Sequence, residues 1–277
     1  MRRLRRFRKP VRMFFILVVG VFLASPLLYL VSGSLMSSAQ LTQFPPAFFP
    51  SSIHWSNFTA AWDYLHLRAG VNSIIFTVVT VALQWSLCVS GGFVLAKMHF
   101  RAARRVVALL GLSLFVPTIT TLVPTFVVTD KLHLINTYPG LILPIVAQTG
   151  FGTLLFRQYI VSLPTELVDA ARVDGAKWML ILRRVIIPLA LPATGAYAAI
   201  SVLTAWNMYL WPLVAATKPS VSVLTESLAP LAETQYGGVI PESVAFAATL
   251  ITTLPMIVAF LAAQKTFIRG IQGSGVE

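Results

Sequence analysis

Six stretches of roughly 20 residues or more recur along this chain with no charged side chain between their edges, and runs of that length are built to cross a bilayer. They lie at about 13–35, 71–96, 106–128, 138–157, 189–215 and 243–264. Backbone N–H and C=O groups in lipid must be hydrogen-bonded within their own segment, so each run is expected to be a helix. Only 11% of the 277 residues are charged, against about 25% in an ordinary soluble domain. The expected fold class is therefore an all-α membrane protein of six transmembrane helices.

Lys and Arg orient those helices. With the N-terminus inside, 18 of the 21 cations fall on inner segments, and only Arg68, Lys131 and Lys218 fall outside. Positive residues favour the cytoplasmic side, so both termini are expected there. The net charge of +12 is read as this bias and not as nucleic-acid binding, because the cations sit between apolar runs. The expected layout is a basic cytoplasmic N-terminus at 1–12, a first span at 13–35, and an extracytoplasmic loop at 36–70. A core of five spans follows at 71–264, interrupted by a cytoplasmic loop at 157–188, and a cytoplasmic tail occupies 265–277. The run from Met13 to about Ser34 is longer than the 7–15 residues of a signal core and is read as a retained span. In the outer loop Trp55, Phe58, Trp62 and Leu65 have near-helical spacing, which predicts one apolar face at the membrane surface.

The spans are as informative for what they lack. They hold no ionisable group between their edges, and His54, His66, His99 and His133 all lie outside them. Proton relays and proton-coupled carriers need such groups. Sodium coupling through backbone carbonyls stays open. No His-Glu-x-x-His zinc pattern and no phosphate-binding Gly-x-x-x-x-Gly-Lys-[Ser/Thr] loop occurs, so no catalytic residue and no metal site is expected. Cys88 stands alone inside an apolar run and reads as a small core residue. If solute moves uphill, a partner must supply the energy.

The longest inner loop carries the sharpest pattern. Pro164 suits a first helical turn and Glu166 its positive end. Leu167, Ala170, Ala171 and Asp174 follow i, i+3, i+4, i+7 spacing, which predicts one shared face on which alanines let a partner approach. Gly175 permits a left-handed turn that ends the helix. A second helix, from Ala176 to about Ile187, then leaves towards Pro188 and Pro192.

Asp169-Ala170-Ala171, Gly175 and Val185-x-Ile187-Pro188 resemble the "EAA" signature of ABC importer permeases, Glu-Ala-Ala-x3-Gly-x9-Ile-x-Leu-Pro, with every spacing kept. Asp replaces Glu, Val replaces Ile and Ile replaces Leu. Leu155-Phe156-Arg157-Gln158-Tyr159 and Trp206-Asn207-Met208-Tyr209-Leu210-Trp211-Pro212-Leu213 are similar to the carbohydrate branch, in the second permease subunit of maltose and glycerol-3-phosphate importers.

The resemblance implies a cytoplasmic coupling helix that sits in a cleft of an ATPase subunit. Asp169, Ala170, Ala171, Asp174, Gly175 and Pro188 would make that contact and its turn. It implies a second similar permease in a heterodimer, two ATPase subunits carrying ATP and Mg, and an extracytoplasmic solute-binding protein. This chain itself would bind no cofactor, and its remaining partner is membrane lipid. The tail Gln264–Glu277 resembles one that reaches the ATPase interface.

The implied function is import of a sugar or a glycerol-3-phosphate- or glycerophosphodiester-like solute, with a disaccharide such as maltose or trehalose as the alternative solute. An ion-coupled secondary carrier of a small polar solute is the alternative reading. Polar residues inside the spans are candidates for the solute path: Asn72, Gln84, Thr118, Thr120, Thr121, Gln148, Asn207 and Tyr209. Amides, hydroxyls and an aromatic face suit a sugar. That singles out Trp206, Asn207 and Tyr209, with Gln148 and Thr121 as further lining residues.

Overall fold

The computed structural model describes residues 2–228 and 240–272, and at 2–12 and 262–272 the backbone alone. Among the described residues there are helices and no strands. In chain order these are α1 (Arg2–Ser34), α2 (Ser38–Leu41), α3 (Ser56–Leu65), α4 (Leu67–Lys97), α5 (Ala103–Ser113), α6 (Thr118–Lys131), α7 (Tyr138–Val146) and α8 (Gly150–Val161). There follow α9 (Glu166–Val173), α10 (Trp178–Ile181), a π-helical turn over Leu182–Ile186, α11 (Ile187–Leu189), α12 (Leu191–Trp206), α13 (Leu210–Ala215), α14 (Leu224–Ser227) and α15 (Glu242–Gln272).

Three stretches are long and apolar enough to cross a membrane unaided: Met13–Ser34 within α1, α4, and Glu242–Leu261 within α15. Three more crossings need a bent pair: α5 with α6 at 104°, α7 with α8 at 46°, and Trp178–Leu189 with α12 at 77°. Six spans result when each pair counts as one. The sequence predicts the third and fourth spans as continuous and starts the fifth at 189, so the bend at Ala190 falls at an expected edge, and a proline stands at or near each bend. Pro117 caps α6 with extended backbone, φ −62° and ψ 131°. Pro188 and Pro192 flank the break at Ala190, and neither proline nitrogen can donate an intrahelical bond. Pro144, inside α7, stands three residues before the α7–α8 break at 147–149. The tail contact inferred for the C-terminus falls partly on 273–277, outside the described residues.

The chain forms two compact units, one of residues 1–66 with 227–254 and one of 67–226 with 255–277. In the first, a single amide fastens the turn after α1. Asn57 Nδ2 donates to the carbonyls of Ser34 (3.0 Å) and Met36 (2.8 Å), and its Oδ1 accepts from Ser243 Oγ at 3.2 Å. Tyr29 meets Phe246 edge-to-face at 5.8 Å. The apolar face expected on α3 is split. Trp55 and Trp62 are exposed, while Leu65 is buried with Asn57 and Ala61. The i, i+4, i+8 row that faces inward begins at Asn57, an amide that apolar periodicity does not register.

In the second unit α4 is the axis. At 31 residues it is about 46 Å long, well beyond the ~30 Å hydrocarbon core. Buried Asn72, Ser73, Phe76, Thr77 and Thr80 mark one stripe and Cys88, Val89, Gly92 and Phe93 another. A side chain at Gly92 would stand 2.7 Å from Phe156 Cβ and 2.8 Å from the Arg157 backbone N, so glycine is what lets α8 lie against α4. Two cores follow from this packing. Phe76, Leu141, Ile145, Trp211 and Val223 belong to one, and Phe93, Phe156, Ile160, Ile181 and Tyr197 to the other.

Candidate functional site

α9 and the segment after it form the site that the sequence singled out. Glu166 and Asp169 stand in the first turn of α9 and Arg172 in the last, each at the end of the helix dipole that favours its charge. The helix ends in a reciprocal pair of bonds. Ala176 N donates to Ala171 O at 2.9 Å and Gly175 N to Arg172 O at 3.0 Å, with Gly175 at φ +78°. This is the Schellman pattern, and its left-handed residue is the one named from the sequence. No atom lies within 4 Å of where a Cβ on Gly175 would be, so backbone conformation alone requires glycine.

The faces of α9 differ from the expected one. Val168 is buried and Ala171 half-buried against the second core, alongside Ala176. Leu167, Asp169, Ala170, Val173 and Asp174 are exposed, Val173 to 88%. The outward surface is thus Leu167, Ala170, Val173 and Asp174, and Ala171 belongs to the inner packing.

An aromatic relay that the sequence reading missed holds the helix down. The Arg172 guanidinium lies 4.9 Å from the centre of the Trp178 ring, and Trp178 meets Phe93 of α4 edge-to-face at 5.9 Å. The available signal was a lone indole three residues beyond the glycine. Lys97, at the end of α4, donates from Nζ to Leu163 O at 3.0 Å just before α9. Pro188 sits in the arm Trp178–Leu189, whose Leu189 carbonyl accepts from Tyr159 OH at 3.2 Å.

The candidate solute residues separate into groups. Trp206 is buried at the end of α12. Asn207 and Tyr209 are exposed at the break between α12 and α13, and Asn207 Nδ2 donates back to Leu203 O at 2.9 Å. Gln148 is exposed at the α7–α8 break, where Gln84 Nε2 donates to the carbonyls of Ile145 (2.6 Å) and Gln148 (3.5 Å). The hydroxyls of Thr120 and Thr121 turn back onto the Pro117 and Thr118 carbonyls. Asn72 is occupied elsewhere: it accepts from Tyr138 OH at 2.6 Å and donates to the Ser220 and Ser222 carbonyls. Both exposed groups sit at helix breaks, and uncoiled backbone within a membrane survives only where protein or water lines it. Among the described residues no cluster of His, Cys, Asp and Glu could hold a metal ion.

Comparisons with known proteins agree with this architecture. The family model described as "Binding-protein-dependent transport system inner membrane component" matches residues 89–273. The arabinooligosaccharides transport system permease protein AraQ of Halalkalibacterium halodurans is 32% identical over 95% of this chain and 93% of its own length. The sn-glycerol-3-phosphate transport system permease protein UgpE of Yersinia pestis is 27% identical over 93% of this chain and 94% of its own. A chain in the crystal structure of a bacterial ABC transporter that imports the acidic polysaccharide alginate superposes with a TM-score of 0.81 at 25% identity, covering 95% of this chain and 97% of that one. By the family match over residues 89–273 and by these relatives, the chain belongs to the inner membrane components of binding-protein-dependent transport systems, the multi-pass permease subunits of ABC importers.

Proposed function

We propose that this chain imports a sugar or a glycerol-3-phosphate-like solute, driven by ATP hydrolysis on a separate subunit that docks on α9. The working complex pairs it with a second, similar permease, two ATPase subunits carrying ATP and Mg, and an extracytoplasmic solute-binding protein. Both termini and α9 face the cytoplasm, in keeping with the distribution of Lys and Arg.

One observation carries this reading. α9 presents Leu167, Ala170 and Val173 outward at the end of the membrane helices, while Val168 and Ala171 lock its other side to the second core. An exposed apolar ridge with a small residue at its centre suits a cleft on a soluble motor, and its attachment to α4 and α8 gives the motor something to push. Asp169, Ala170, Asp174 and Gly175 form the docking surface and its turn, Ala171 sets its seat, and Pro188 shapes the arm behind it. Gln148, Asn207 and Tyr209 line the solute path at the helix breaks, with Thr121 nearby in sequence to the Pro117 break. The solute class is supported by the relatives, whose descriptions name arabinooligosaccharides, sn-glycerol-3-phosphate and alginate. No cation lies between the edges of the spans, which favours a neutral sugar along the path and leaves any phosphate or carboxylate to be recognised elsewhere.

The test is transport by the complete complex reconstituted in vesicles with its binding protein. Labelled arabinooligosaccharide, maltose and glycerol-3-phosphate are offered in turn. One of them accumulates only when ATP is present and continues to do so after ionophores collapse the ion gradients. Accumulation that needs a gradient and ignores ATP sinks the proposal.

A further inference from the structure

A cavity of about 550 Å³ opens where the end of α4, the start of α5 and the second half of α8 meet. Two chemistries share its wall. His99, Arg101, Arg104 and Arg157 bring hydrogen-bond donors, and Leu95 and Phe100 bring apolar surface, with no carboxylate in the lining. Arg157 is half-buried and its Nε has no hydrogen-bond partner. A buried donor on a charged group is costly to leave unmade. The neighbouring cation, Lys97, is already engaged on the Leu163 carbonyl. Arg104 stands at the start of α5, whose N-cap Ala102 offers no side-chain acceptor, so the positive end of that helix adds to the field.

Guanidinium groups pair with phosphate in a two-pronged fashion, and three arginines line this cavity, the exposed Arg101 and Arg104 and the half-buried Arg157. A freely diffusing phosphate would gain nothing from Leu95 and Phe100, whereas an acyl chain would. Basic pockets between membrane helices on the cytoplasmic side are where anionic headgroups collect.

We infer that this cavity holds the phosphate headgroup of an anionic phospholipid, with the acyl chain along the Leu95 and Phe100 wall. A headgroup bound there bridges α5 to α8 beside the Lys97–Leu163 bond that leads into α9. Lipid composition then sets how firmly the coupling loop is held. The choice of leaflet rests on the proposed orientation, and the site itself does not.

The assembled transporter is equilibrated in phosphatidylcholine with and without phosphatidylglycerol, purified, and its retained lipid counted by mass spectrometry. The wild type keeps phosphatidylglycerol over phosphatidylcholine. Arg104→Gln and Arg157→Gln each lower that retention by roughly fivefold. Arg104→Lys keeps most of it, which separates lost charge from lost fold. Arg68→Gln, at an exposed arginine outside the cavity, leaves it unchanged. A second arm adds inorganic phosphate, and displacement of the lipid by phosphate at low concentration identifies a soluble anion as the occupant and overturns the inference. Equal retention by wild type and both Gln variants overturns it too. So does loss of the ATPase subunits from these variants with lipid retention unaltered, which would assign the arginines to the ATPase surface.

Discussion

Replacing Gly175 by valine tests the coupling loop at its narrowest point. Gly175 holds φ +78°, and an L-residue in the left-handed region costs about 1–2 kcal/mol. Nothing lies within 4 Å of the new Cβ, so this conformational cost stands alone, without a collision to confuse it. Since 1.4 kcal/mol is a factor of ten in an equilibrium constant, the equilibrium that keeps the Ala176–Ala171 bond should shift against it by roughly fivefold to thirtyfold. The alternatives are to fray the last turn of α9 or to redirect the arm that begins at Trp178. Either moves Ala170 away from the docking position proposed for it. Solute-stimulated ATP hydrolysis by the reconstituted complex falls in Gly175→Val, while insertion and span packing are retained. Gly175→Asn is milder, because asparagine visits the left-handed region readily. Exchange of the Ala176 amide with solvent reports the geometry independently of turnover, and it quickens in the valine variant only. Stimulated hydrolysis at wild-type level in both variants would show that the left-handed turn is no part of coupling.

Three further outcomes follow from residues already placed. In a Cys88→Ser background, a thiol at Ala102→Cys labels from the cytoplasm and one at Ala60→Cys from outside; labelling of position 60 from the cytoplasm would break the orientation. Asn207→Leu, at the α12–α13 break, lowers uptake with assembly intact, and unchanged uptake kinetics would remove Asn207 from the path. Burial pushes the Glu226 carboxyl up to about 7, against the downward pull of the Val223 backbone, so the folded chain holds this proton more tightly than the unfolded one. Stability linked to it is fully present below the ordinary value of 4.5 and lost as pH rises towards 7. Glu226→Gln escapes that loss, and its melting temperature therefore gains on the wild type between about pH 5 and about pH 8; a gap that does not change with pH would refute the linkage.

How far the sequence reveals this molecule depends on which residues are asked. Charge-free runs of membrane length identify the spans, since lipid leaves the backbone few options. Gly175 is legible because a glycine directly after an amphipathic helix has a narrow set of uses. The orientation of α9 is not legible from spacing. Ala170 and Ala171 are 100° apart on a helix, and only the tertiary packing of Val168 decides which of them turns inward. Pro117, Pro188 and Pro192 mark two of the three bent pairs, while the third, at 147–149, lies just past Pro144, inside a run that reads as one helix. Trp206 and Asn207 are adjacent in the chain and carry equally suggestive chemistry, yet α12 ends between them and buries one while exposing the other. Asn57 shows the converse: a polar residue reads as surface until the carbonyls of Ser34 and Met36 are seen to need it.

The contact at Gly92 has a mechanical consequence. It grips α4 five residues from one end and twenty-five from the other, so the two arms measure roughly 8 Å and 38 Å. α9 is fastened beside the short arm, through Lys97 on one side and Phe93 on the other. Any rocking of α4 about this fulcrum is magnified about fivefold along the long arm, in proportion to those lengths. With a motor docked on α9 as proposed above, a displacement of one ångström at that side becomes several at the far end, the scale of a gate.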